Sequence, residues 1–156
     1  MYRRILVPVD GSPTAVHGFA EAIKLGQLTG ARLRLIHVID ALSFGLSAGE
    51  GMGYTGDILD VLHKAAVDLL SRAETQVRAS DLAVDSVLNE NLAGSVCDLI
   101  VAEADSWGAD IIVLGTHGRR GIGRLFMGSD AENIVRSSSI PVLLLRTNAT
   151  TLTPDH

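Results

Sequence analysis

The chain has 156 residues, 47% of them apolar and 20% charged, enough to bury the core of one domain without metals or disulfides. Its formal net charge of −5 argues against a nucleic-acid partner, since binding a phosphate polymer requires a basic surface. The single cysteine, Cys97, excludes an internal disulfide and fits a reducing compartment.

From the N-terminus, Arg3-Arg4-Ile5-Leu6-Val7-Pro8-Val9 predicts a short buried strand. Its apolar run is too short for a signal-peptide core, so the expectation is a cytoplasmic protein with no membrane partner. Asp10-Gly11-Ser12-Pro13 then supplies a turn, an N-cap at Ser12 and a proline at the first helical position. In the helix that follows, Val16, Phe19, Ala20 and Ile23 recur at helical spacing and predict the inward face, with Gly30 at its end. Leu33 to Val38 is the second strand. Between Ile39 and Thr55 four glycines and no periodicity predict a loop.

From Asp57 to Ser80, Ile58, Leu62, Ala65, Ala66, Leu69, Ala73 and Val77 hold a helical period over about six turns. Val84 to Leu88 reads as a strand, and its polar Asp85 and Ser86 suit an edge. After Gly94 a third helix turns Val96, Cys97, Ile100, Val101 and Ala104 inward and stops near Trp107-Gly108. Asp110 to Leu114 is an unbroken apolar strand of the kind found mid-sheet. Ser129 to Ser138 is a short helix, Pro141 to Leu145 a last strand, and the polar residues from Asn148 to His156 a tail. Strands alternating with helices predict a single-domain, doubly wound α/β fold: a parallel five-stranded sheet with helices on both faces. The domain is expected to span residues 1–146, leaving 147–156 as a tail. Ligands of such sheets sit beyond the carboxyl ends of the strands, which directs attention to the segments after Val9, Val38 and Leu114.

The segment from Gly115 to Ser129 is long for a strand-to-helix connection and carries five glycines. Glycine lets backbone amides approach a ligand closely, and the helix opening at Ser129 offers free N–H groups to an anion; together they point to phosphate. A P-loop is ruled out because the lysine after its second glycine is missing at both possible registers. A literal dinucleotide pattern at Gly51-Met52-Gly53-Tyr54-Thr55-Gly56 lies about a dozen residues beyond the second strand, the wrong place for that motif. No Gly-x-Ser-x-Gly elbow is present.

What fits is Gly-x-x-Gly, nine residues, then Gly-Ser: Gly115, Gly118, Gly128 and Ser129. With the opening Ile5-Leu6-Val7-Pro8-Val9-Asp10-Gly11-Ser12, the segment Leu35-Ile36-His37-Val38-Ile39 and the closing Ser139-Ile140-Pro141-Val142-Leu143-Leu144-Leu145, this spacing resembles the ATP-binding branch of the universal stress proteins. The resemblance implies a strand order of 3-2-1-4-5 and a nucleotide between the ends of strands 1 and 4. It places adenine against Pro8, Val9 and the backbone of Val38, and Asp10 beside adenine and ribose. Gly115, Gly118, Met127, Gly128 and Ser129 would surround ribose and phosphates. It further implies magnesium or manganese on the ATP triphosphate and a homodimer through the last strand, Val142 to Leu145.

Several residues carry plainer readings. Asp10 also suits a cap for the turn at Gly11 and Ser12. His37 on an apolar strand reads as a core histidine with a satisfied partner, His117 as an incidental loop residue, and Cys97 as a small core residue. Arg119, Arg120 and Arg124 read as solvated surface. Asp130 supports the dipole of its helix but sets a carboxylate where phosphate oxygens would lie. Two functions stand beside an ATP-binding stress regulator: a slow ATPase, for which no general base is evident, and a nucleotide-independent module that pairs through its final strand.

Overall fold

A computed structural model describes residues 1–41, 56–118 and 129–148. Among the described residues five strands and four helices alternate: β1 (Arg4–Pro8), α1 (Pro13–Thr29), β2 (Arg32–Ile39), α2 (Gly56–Arg78), β3 (Val84–Glu90), α3 (Val96–Trp107), β4 (Ile111–Gly118), α4 (Ser129–Ser137) and β5 (Val142–Asn148). All ladders are parallel and the order across the sheet is β3-β2-β1-β4-β5. β3 is an edge strand, as its polar residues predict, and the apolar β4 lies between β1 and β5.

Side chains alternate across the sheet, so the central strands feed two cores and need apolar residues at every position. Ile5, Val7, Leu33, Leu35, Ile111 and Val113 face α1 and α2, meeting Phe19, Ala22, Leu70, Ala73 and Val77. Leu6, Ile36, Ile112 and Leu114 face α3 and α4, meeting Cys97, Ile100, Ala104 and Ile134. Cys97 is buried there as a small core residue.

The face of α1 differs from the periodicity reading. Phe19 is buried, but Val16 is 57% exposed and Ala20 is also exposed; the buried stripe is Thr14, Gly18, Phe19, Ala22 and Gly26. The cause is closeness. A Cβ on Gly18 would stand 2.6 Å from the backbone nitrogen of Gly115, and one on Gly26 2.8 Å from Leu33 Cδ1. Small residues bring the helix backbone onto the sheet, and that outweighs the larger side chains one position away. The ends follow local chemistry: Ser12 Oγ accepts the Ala15 N–H at 3.2 Å, and Gly30, at φ 68, stops the helix in the left-handed region.

β4 runs on through Gly118, so Gly115, Thr116, His117 and Gly118 are strand and not the start of the glycine loop. They pair with Leu145, Arg146, Thr147 and Asn148 of β5, which likewise continues through two residues assigned to the tail. At the opposite end of the sheet the Asp110 carboxylate accepts the N–H groups of Arg3 and Arg4 at 2.8 and 2.9 Å, tying the start of β1 to the start of β4. Across the α3 side, Arg34 of β2 bonds Asp85 of β3 at 2.6 and 3.0 Å and Glu103 of α3 at 2.9 Å, and stacks on Trp107 with 4.6 Å to the ring centre. The bond to Asp85 leads in raising the guanidinium pKa, so the charge of this part-buried side chain is held in place.

Candidate functional site

β1 and β4 are paired only at Ile5↔Ile111 and Leu6↔Ile112. Beyond those residues the strands part, at the point where the winding of the sheet reverses, and a crevice of about 150 Å³ opens. An apolar cavity of about this volume holds a benzene-sized ring. Its floor is Pro8 at the end of β1 and the Val9 that follows it, Ile36 and Val38 of β2, and Leu114 and Gly115 of β4. Ser12, Thr14 and Ala15 from the start of α1 form one wall; Val96 and Ile100 of α3 with Ala131 and Ile134 of α4 form the other. Asp10 and Asp130 supply carboxylates to the lining.

Local sequence builds the α1 wall. Gly11 takes φ 78, a left-handed turn that side chains resist, and Asp10 Oδ1 accepts the Ser12 N–H at 2.8 Å across it. The turn-capping role expected of Asp10 is therefore present, and the residue is also exposed at the crevice, with its second oxygen outside that bond. Ser12 Oγ lies 3.1 Å from Thr14 Oγ1, which holds the two hydroxyls side by side. His37 has the satisfied partner expected of it: Nδ1 lies 2.6 Å from the Val9 carbonyl.

Of the residues that the resemblance singles out, Pro8, Val9, Asp10, Val38 and Gly115 meet in this crevice. Ser129 opens α4 next to Asp130, with Asp130 and Glu132 both in the first turn. Gly118 stands three residues past Gly115 at the end of β4, opposite Asn148. Met127 and Gly128 lie outside the described residues, as do Arg119, Arg120, Arg124 and all but the last residue of the pattern at 51–56. Gly115 has a packing role of its own, because a Cβ there would fall 1.7 Å from the Thr14 carbonyl oxygen.

Thr14, Val96, Ile100, Ala131 and Ile134 are lining residues that the motifs did not include. At Val96 and Ile100 the signal was present as helical periodicity, which marks an inward face without saying whether it meets a core or a slot. Among the described residues no three His, Cys, Asp or Glu side chains converge as metal ligands, and no helix is long and apolar enough to cross a membrane. A mostly apolar crevice of this volume, flanked by hydroxyls and carboxylates, has room for a single ring with a polar appendage.

The universal stress protein family model matches residues 1–146. A universal stress protein of Thermus aquaticus is 34% identical over 149 residues, covering 94% of this chain and 100% of its own. Among solved structures, a universal stress protein family member from Burkholderia pseudomallei superposes with a TM-score of 0.74 at 29% identity, over 92% of this chain and 96% of its own. The Archaeoglobus fulgidus universal stress protein in complex with dAMP gives a TM-score of 0.61 at 25% identity, over 92% and 97%.

Proposed function

The chain belongs to the universal stress protein family, and from that premise we propose that it is a cytoplasmic regulator of the stress response that binds an adenine nucleotide, ATP with magnesium or manganese, in the crevice between β1 and β4. The observation that carries this reading is the crevice itself: a mostly apolar opening at the reversal of the sheet, bordered by Asp10, Ser12 and Thr14. The dAMP complex of the Archaeoglobus fulgidus relative supports the choice of adenine.

In this reading Pro8, Val9 and Val38 enclose the base and Asp10 accepts from the ribose hydroxyls. Gly115, Gly118, Met127, Gly128 and Ser129 surround ribose and phosphates. A divalent ion on the triphosphate would offset its charge beside the crevice carboxylates Asp10 and Asp130. No group is assigned as a general base, and the nucleotide acts as a signal that stabilises one conformation. The same reading includes a homodimer through β5. That edge strand shows Leu143 37% exposed, a residue that edge-to-edge pairing would cover.

A thermal melt with and without magnesium ATP tests the proposal. At about 100 times Kd, linkage stabilises the fold by about 2.7 kcal/mol, which for a domain of this size raises Tm by roughly 5 to 10 °C. An unchanged Tm at millimolar magnesium ATP and magnesium-free AMP would refute it and leave the nucleotide-independent module.

A further inference from the structure

In a parallel ladder the N–H and C=O of one residue point to the same neighbouring strand, and those of the next residue point to the other side. Ile36 faces β1, because its carbonyl accepts the Val9 N–H at 2.9 Å. Val38, two residues on, therefore turns its own N–H and C=O toward the same side, where β1 has ended at Pro8 and the crevice begins. In an unbroken ladder the Val38 N–H would go to the Val9 carbonyl. That carbonyl instead takes the imidazole of His37 at 2.6 Å.

We propose that His37 is a positioning residue for the base: by occupying the Val9 carbonyl it ends the β1–β2 ladder one bond early and leaves the Val38 N–H facing the crevice as a donor to the ligand. The proposal rests on the nucleotide reading of the same crevice and adds the residue that exposes its base-reading edge.

A carbonyl can only accept, so Nδ1 carries the proton, and in the neutral ring Nε2 is the acceptor. His37 itself lies on the opposite face of the sheet from the slot, since Ile36 and Val38 pack on the α3 and α4 side and side chains alternate. It acts through Val9. Val9 is buried, and an unpaired carbonyl there would be costly. The imidazole removes that cost and allows the chain to leave the sheet at Asp10-Gly11. The result is a free donor beside a free acceptor on one residue. The Watson–Crick edge of adenine presents the complement, a ring-nitrogen acceptor beside an exocyclic amino donor.

The test uses the full chain with His37→Leu and His37→Asn. Asparagine keeps an N–H near the position of Nδ1; leucine removes it. In ligand-free wild-type protein, NMR hydrogen exchange should find the Val38 amide much less protected than the Ile36 amide. In the leucine variant the ladder bond to Val9 closes, so Val38 protection rises at least about tenfold and AMP affinity by calorimetry falls about tenfold, the scale of one hydrogen bond. The asparagine variant should stay within about threefold of wild type in both.

Wild-type Val38 as protected as Ile36, or a leucine variant that binds AMP like wild type, overturns the proposal. If the leucine variant fails to fold, wild-type exchange and the asparagine variant decide. If wild-type protein binds neither AMP nor magnesium ATP, the nucleotide reading fails, and Val38 exchange alone decides whether His37 displaces the ladder.

Discussion

Replacing Gly115 with alanine tests whether this glycine serves the packing of the fold or only a ligand. The added Cβ would sit 1.7 Å from the Thr14 carbonyl oxygen and 2.4 Å from its carbonyl carbon. Both are backbone atoms, so no rotamer can yield, and the first turn of α1 would have to move by more than an ångström to restore contact. On the other side of the interface Gly18 already brings its Cα against Gly115, which leaves the helix no room to rock in place. Overpacking a core costs about 1 to 3 kcal/mol where side chains can adjust; with backbone on both sides the upper end, about 3 kcal/mol, applies. At roughly 2 to 4 °C per kcal/mol for a domain of this size, Tm should fall by about 6 to 12 °C. Calorimetric melting of the ligand-free variant measures this directly. A Gly115→Ala protein melting within about 2 °C of wild type would show that α1 is not seated on β4 as described, and that the glycine's role lies with a ligand alone.

The Asp110 carboxylate gives a pH signature. The N–H groups of Arg3 and then Arg4 hold its pKa below the ordinary carboxylate range, so its contribution is complete above the unfolded value and disappears as pH falls through the lowered folded value. Asp110→Ala should lose stability at neutral pH, by about 1 kcal/mol given its exposure, and the gap from wild type should close in urea titrations run at progressively lower acidic pH. At the β5 edge, Leu143→Lys should shift a wild-type dimer to monomer in sedimentation velocity; a monomer in both proteins would dispose of edge pairing.

The architecture was legible because its signals are local. Apolar runs at Ile5–Val9 and Ile111–Leu114, the cap at Ser12 and the stop at Gly30 each say what their own segment does. Asp85 and Ser86 marked β3 as an edge for the same reason. What failed depended on distant partners. Gly115 to Gly118 look like loop until β5 is beside them, since the pairing with Leu145 to Asn148 holds them in strand. Val16 has the side chain of a core residue, yet the approach of Gly18 to Gly115 rotates α1 and leaves it in solvent. Arg34 and Asp85 stand 51 residues apart, so nothing local announces their bond. In the candidate site, the ends of β1 and β2 were readable from the rule for parallel sheets, whereas the α3 wall at Val96 and Ile100 looked like ordinary core.

The tip of α4 also sets a condition on any anion bound at this end of the sheet. A helix N-terminus carries about half a positive charge, shared over its first free N–H groups. Here that charge meets acids of the same helix, Asp130 and Glu132 in the first turn. Glu132 is drawn away by Arg136 at 2.8 Å, but Asp130 lines the crevice with Asp10. Two exposed carboxylates in one slot disfavour a bare polyphosphate more strongly than a monoester, because the repulsion grows with each charge brought in and is screened only beyond about 10 Å at ordinary salt. A divalent cation carried by the phosphates would offset that repulsion. On the nucleotide reading proposed above, the described walls would meet the nucleoside end of the ligand, and its phosphates would need a cation to offset the carboxylates of Asp10 and Asp130.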